Sequence, residues 1–196
     1  MKVILAMCLI LSSVAISKPV LIVGDSIFAL SRGVAGYLEA TGLQVDDQSI
    51  VGAKMPNIVI QYESYVPSPE IIVLNGGGND ILLDHRKDCI AQNSKCDEAV
   101  QEAIGLGERL MRQMAEDGVG TIIYVGLYHL GSFNQGLNPA IDAGMQQVAE
   151  ACASINGCQF IDSREFITSS DLRWDGVHPN RSGSQKIGQA VSSLLQ

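Results

Sequence analysis

The chain reads as a three-layer α/β/α domain built on a five-stranded parallel sheet. Two observations predict it. Its strand-like segments are unbroken apolar runs instead of polar–apolar alternations, as expected of strands covered on both faces. Longer segments with helical spacing separate those runs, which is the rhythm of parallel strands joined by crossover helices. At 196 residues the chain is most simply one domain with a substantial core.

The elements follow in order. Residues 20–23 form a short buried-strand run that stops at Gly24. Residues 27–40 carry helical spacing, with Phe28, Val34, Tyr37 and Leu38 on or near one face. Residues 44–51 read as a second strand and 56–65 as a short helix. A third strand, 70–74, is halted by Asn75 and three glycines. Residues 97–117 are the clearest helix, amphipathic and acidic at its start. A fourth strand spans 121–127, and a helix spans 138–154 with Asn138 as cap and Pro139 at its first position. A fifth strand covers 159–161 and a last helix 180–195. No internal repeat, linker or low-complexity stretch interrupts the series.

Residues 1–17 stand apart. Lys2 gives a positive start, an apolar run extends from residue 3 to 16, and small residues close it at Ala15 and Ser17. This is the pattern of a secretory signal peptide cleaved before Lys18, leaving residues 18–196 as the working domain. The run falls short of the roughly 20 residues of a spanning helix, so no stable membrane insertion is expected. Cys8 sits inside the run, where lipid attachment is not expected. Cleavage removes Lys2 and no acid, leaving 12 basic against 21 acidic residues and a charge of about −9. Such a surface repels phosphate backbones and anionic membranes, which excludes nucleic acid as a partner.

Four cysteines remain. An even count in an exported chain suggests two disulfides. Three pairings are possible, and proximity favours Cys89 with Cys96 and Cys152 with Cys158. A zinc site is disfavoured because neither pair has C-x2-C spacing or an adjacent histidine.

The sheet concentrates chemistry at one edge, because loops leaving the carboxyl ends of parallel strands share it. Ser26 follows the first strand, Gly52 the second and Asn79 the third. His178 lies in the loop entering the last helix, which can return to the same edge. Ser26 opens a helix after the tight turn at Gly24, so N–H groups and the positive dipole end face it, as suits an oxyanion. A helix cap would also explain a serine there. Asp175 and His178 are three apart, and Pro179 keeps His178 extended. That turn can orient the imidazole with the carboxylate and leave its other nitrogen to act as a base. A surface turn carrying an incidental acid and histidine is the plainer alternative. Asn79 follows three glycines and can donate its amide to an oxyanion. A glycine-rich turn or a phosphate cradle are the other readings, but no G-x-x-x-x-G-K-[ST] occurs.

Taken together, Gly24-Asp25-Ser26-Ile27, Gly52, Gly77-Gly78-Asn79-Asp80 and Asp175-Gly176-Val177-His178-Pro179 resemble the blocks of the SGNH hydrolase superfamily, which contains the GDSL-type lipases and esterases. The resemblance spans residues 20–195. It implies a flavodoxin-like fold, Ser26 as nucleophile, His178 as base and Asp175 as its partner. It further implies an oxyanion hole of the Ser26 and Gly52 backbone N–H groups and the Asn79 side chain. No metal or organic cofactor is implied. Two departures stand out: Ile27 replaces the leucine of the GDSL name, and Gly76 stands where many relatives carry a larger apolar residue.

Other candidates read as structural. His129 falls on the same edge but is more simply a surface or packing residue, and His85 sits in a polar loop. Asp25 and Asp80 read as loop braces, and Tyr124 and Tyr128 as packing residues. G-x-S-x-G is absent, against an α/β-hydrolase nucleophile elbow. The expectation is therefore a secreted or periplasmic serine esterase, a monomer acting on a small-molecule acyl ester, including thioesters. The lack of a long apolar insertion points to small or single-chain acyl groups such as lysophospholipid. A carbohydrate acetyl esterase, a catalytically silent acyl-glycan binder and a nucleotide-binding flavodoxin-like domain are the alternatives.

Overall fold

A computed structural model describes residues 19–195; the leader read at residues 1–17 lies outside them. Five strands form one parallel sheet: β1 (Val20–Val23), β2 (Val45–Asp47), β3 (Ile71–Leu74), β4 (Thr121–Val125) and β5 (Cys158–Ile161), in the order β2-β1-β3-β4-β5. The register pairs Ile22 with Asp47 and with Val73, and Leu74 with Tyr124. Every residue of β1 is buried, and so is nearly all of β3 and β4, which accounts for their unbroken apolar runs.

Helices α1 (Ser26–Ala29) and α2 (Gly33–Ala40) lead from β1 to β2, and α3 (Met55–Glu63) leads back to β3. Next come a π-helical turn, Asp80–Asp84, the short α4 (Arg86–Ile90) and the long α5 (Ser94–Glu116) before β4. Helix α6 (Asn138–Ala153) connects β4 to β5, and α7 (Arg181–Ser193) closes the chain. Helix α5 packs on α3 and α6, and α2 packs on α7. Because crossovers between parallel strands are right-handed, reversing the direction of travel after β2 puts these two groups on opposite faces of the sheet. The main core fills both interfaces. A smaller apolar cluster of Ile81, Cys89, Cys96, Val100, Leu137 and Ala140 lies beyond the β3 and β4 edge.

Several boundaries differ from those read in the sequence. The helix expected over 27–40 is broken: Arg32 turns left-handed with φ 46° before α2 begins. The break lets α2 lie close on α7, where a Cβ on Gly33 would sit 2.4 Å from that of Ser184. Strand β2 ends at Asp47 because its carboxylate accepts from the N–H and hydroxyl of Ser49 and turns the chain away. Helix α5 starts at Ser94, three residues early, since Asn93 caps it by accepting from the N–H groups of Lys95 and Cys96. Asn138 is not a cap. Its side chain accepts from the Leu130 N–H at 2.8 Å and donates to the Leu130 carbonyl at 3.2 Å, bracing the loop after β4. The cysteines are bonded as Cys89–Cys96 and Cys152–Cys158.

Candidate active site

Ser26 is the first residue of α1 and is buried. Asp25 caps that helix, its carboxylate accepting the Ile27 N–H at 2.9 Å. The turn itself is held from behind. Asn75, at the end of β3, accepts the Asp25 N–H through Oδ1 at 3.2 Å and donates through Nδ2 to the Asp25 carboxylate at 2.9 Å. Gly24 adopts φ 157°, and a Cβ there would lie 1.9 Å from Asn75 Oδ1. Burial raises the Asp25 pKa, against the lowering pull of the Ile27 N–H, the Asn75 amide and His178.

The segment carrying Asp175 and His178 is a pinned hairpin. Leu172 bridges Pro179, the Asn180 N–H donates to the Asp171 carbonyl at 2.8 Å, and the Arg173 N–H donates to the His178 carbonyl at 2.8 Å. Gly176 turns the tip with φ 66° and lies so close to Gly131 that a Cβ would come within 3.0 Å of its carbonyl oxygen. The Tyr128 hydroxyl donates to the Val177 carbonyl at 2.7 Å, tying the hairpin to the loop after β4.

This hairpin brings Asp175 and His178 into line with Ser26, 152 positions from His178 in the chain. His178 Nε2 lies 2.9 Å from Ser26 Oγ, and His178 Nδ1 lies 2.9 Å from Asp175 Oδ2. Asp175 Oδ1 accepts the N–H groups of Val177 at 2.8 Å and His178 at 2.9 Å. Partial burial would raise the Asp175 pKa, but the His178 ring and these two backbone donors outweigh it and hold the carboxyl below its ordinary value. An ionised Asp175 keeps a proton on Nδ1, which leaves Nε2 free to accept from Ser26.

Asn79 is buried at the end of the glycine run, just before the π-helical turn. Its Nδ2 donates to the carbonyl of Ala53, the residue after Gly52, at 3.0 Å. An amide nitrogen has two hydrogens, so one remains for another acceptor. Gly52 itself is left-handed at φ 77° in an exposed turn after β2. That turn is joined to the segment leading to Ser26, since the Ile50 N–H donates to the Gly24 carbonyl at 3.0 Å. Asp80 braces it from the other side by accepting the Met55 N–H at 3.1 Å.

A cleft of about 490 Å³, counting its open mouth, adjoins Ser26 and Asn79. Its walls are apolar: Ile81, Leu82, Leu127, Leu130, Leu137 and Ile141. Tyr128 lines it too, so this residue does more than pack. The Tyr124 hydroxyl donates to the Gly76 carbonyl at 3.0 Å beneath the glycine run. His129 is not in the line. It sits half-exposed, 2.8 Å from Asp142, in a surface network with Arg164 and Asp162. His85 lies near Asp88 on α4. Among the described residues no three His, Cys, Asp or Glu side chains are grouped to hold a metal ion.

Two residues of the site escaped the sequence reading. Asn75 read as a strand stop, and Gln61 passed unremarked within α3. Gln61 was detectable as a lone amide on a helix face otherwise made of Met55, Ile58 and Tyr62, all buried.

Comparison with known proteins agrees with this architecture. The sequence model of the GDSL-like lipase/acylhydrolase family matches residues 22–186. No protein of curated function matches the chain. Among solved structures, the acetylxylan esterase Axe2 from Geobacillus stearothermophilus superposes with a TM-score of 0.69 at 18% identity, over 90% of this chain and 93% of that one. LAE5, an alpha/beta hydrolase enzyme from the metagenome of Lake Arreo, Spain, gives 0.66 at 18% identity, over 90% and 94% of the two chains. At such identities the likeness is one of fold.

Proposed function

The chain belongs to the GDSL-like lipase/acylhydrolase family and is an ester-hydrolysing serine hydrolase, and we propose that its reaction runs through Ser26, His178 and Asp175. The observation that carries this is the unbroken relay of two 2.9 Å contacts from Ser26 Oγ through the His178 ring to Asp175. Ser26 Oγ attacks the acyl carbon while its proton passes to His178 Nε2. The carbonyl oxygen becomes an oxyanion, held by the N–H groups of Ser26 and Gly52 and by the second amide hydrogen of Asn79. Collapse breaks the bond to the alcohol or thiol, which leaves with the proton from His178. Water then gives a proton to His178 and attacks the acyl–enzyme. The acid departs and Ser26 regains its proton. Asp175 stabilises the imidazolium in both halves.

The apolar cleft beside Ser26 supports a substrate with a single acyl chain, such as a lysophospholipid, another short-chain ester or a thioester. An acetylated sugar is the second reading. It is supported by Trp174, which stands 91% exposed next to Asp175 and offers an open aromatic face. The two disulfides support export to an oxidising compartment after loss of residues 1–17, leaving residues 18–196 as the catalytic domain.

A fluorophosphonate probe tests the mechanism. Labelling that disappears in Ser26→Ala is expected; labelling of a different residue, or none in folded protein, would refute it and favour a silent binder. A panel of acyl lengths that includes thioesters and acetylated xylose separates the substrate readings.

A further inference from the structure

Large apolar side chains left in water are informative when they gather. Five lie here on the loops that leave the carboxyl ends of the strands. They are Ile50 (56% exposed), Val51 (58%), Leu83 (57%), Phe133 (78%) and Trp174 (91%). Each is tied to the site. The Ile50 N–H bonds to Gly24. Leu83 follows Leu82 of the cleft wall, and Phe133 lies between the wall residues Leu130 and Leu137. Trp174 directly precedes Asp175. Leu30, Ile60, Val66, Ile90 and Leu194, also exposed, are on other segments.

We propose that this rim seats on the surface of a zwitterionic lipid aggregate, delivering a single acyl ester into the cleft beside Ser26. The inference rests on reading that cleft as the acyl site. Charge selects the headgroup. The chain carries −8, which opposes an anionic surface. Of the cations on these loops, Lys54 Nζ is paired with Asp84 at 2.6 Å, Arg86 donates to the Phe133 carbonyl and the Asn134 side chain, and Arg173 Nε donates to the Pro179 carbonyl. Tryptophan and phenylalanine suit the interfacial layer, where an apolar ring body and a polar edge are both accommodated. Among the described residues no helix is long and apolar enough to cross a membrane, so the contact is peripheral.

Trp174 is the only tryptophan of the chain, so its emission reports this rim alone. The experiment uses the exported Ser26→Ala protein and phosphatidylcholine vesicles, with and without brominated acyl chains. Expected is a shift of emission to shorter wavelength with saturable quenching by bromolipid. Partitioning should weaken about tenfold in Leu83→Ser and again in Phe133→Ser. Binding through another part of the chain would leave Trp174 unquenched and overturn the proposal. So would emission already shifted in a lipid-free dimer, or a response to xylo-oligosaccharide but not to vesicles. Hydrolysis of a dispersed short-chain ester by the unsubstituted protein is measured in parallel. Activity without vesicle quenching sinks the docking surface alone. Quenching without hydrolysis of any ester supports the surface and sinks the catalytic reading.

Discussion

Gln61 grips Gly24 by both of its backbone groups. The Gly24 N–H donates to Gln61 Oε1 at 2.7 Å, and Gln61 Nε2 donates to the Gly24 carbonyl at 3.0 Å. The Gly24 carbonyl also accepts the Ile50 N–H, and together these bonds fix the turn two residues before Ser26. Gln61 is buried, so water cannot substitute for it.

Gln61→Leu keeps the volume and removes both partners. The Gly24 carbonyl keeps the Ile50 N–H, but the buried Gly24 N–H is left unpaired, which should lower stability by about 1–3 kcal/mol and the melting temperature by about 2–12 °C. Turnover should fall with KM nearly unchanged, because the geometry of Ser26 and not the cleft is disturbed. Denaturant unfolding and steady-state kinetics check this together. Unchanged stability would mean that the clamp contributes nothing.

Asn79→Ala should reduce turnover about 100- to 1000-fold if the second amide hydrogen meets the oxyanion. Asn79→Asp, which keeps the shape but presents an ionised acceptor, should be at least as inactive. Substrate turnover by the two variants decides it; an Asp variant as active as the parent would remove Asn79 from the oxyanion hole.

Acid should loosen the hairpin through Asp171. This buried carboxylate is bonded to Lys186 Nζ at 2.7 Å, to the Thr168 N–H and hydroxyl, and to the Ser182 hydroxyl. Burial alone would raise its pKa, but these donors bring it down to about 2. A folded pKa below the unfolded one adds stability that is fully present above about pH 4 and is lost as pH falls through about 2, on the order of 1–2 kcal/mol. Asp171→Asn should therefore unfold more easily than the parent at neutral pH and converge with it near pH 2. Unfolding free energies across that range give the comparison.

Gly76 is small because its space is taken. A Cβ there would lie 2.5 Å from both Ile58 Cδ1 and Met55 Sδ, so α3 supplies the apolar bulk that a larger side chain at this position would bring. Gly76→Leu should cost about 1–3 kcal/mol by overpacking, and Met55→Ala should relieve part of that. A double-mutant cycle on unfolding free energy should show coupling of about 0.5–3 kcal/mol; strict additivity would refute the exchange.

How much of this was legible in the chain depends on how local each signal is. Strands β1, β3 and β4 and the long helix α5 were readable because their burial pattern is written in consecutive residues, whereas β2 is a half-buried Val45-Asp46-Asp47 and not the apolar run expected. The broken α1–α2 helix was not, since the close approach that the break allows is to Ser184, some 150 positions away in sequence and detectable only once α7 is in place. Asn138 misled for a similar reason: its residue type fits a cap, but a distant loop claims its side chain. The candidate nucleophile, base and oxyanion donors stood out by type and spacing, while the Gln61 and Asn75 braces behind them did not, because an amide's partner cannot be inferred from the amide.

The primary structure by itself determined the sheet, the order in which the catalytic candidates reach one edge of it, and the family to which they point. Apolar periodicity and glycine turns are properties of neighbouring residues. Only the tertiary structure decided the distances across that edge, the apolar lining of the cleft and which large apolar side chains stay exposed. Those depend on contacts between segments far apart in the chain, and no local pattern encodes them.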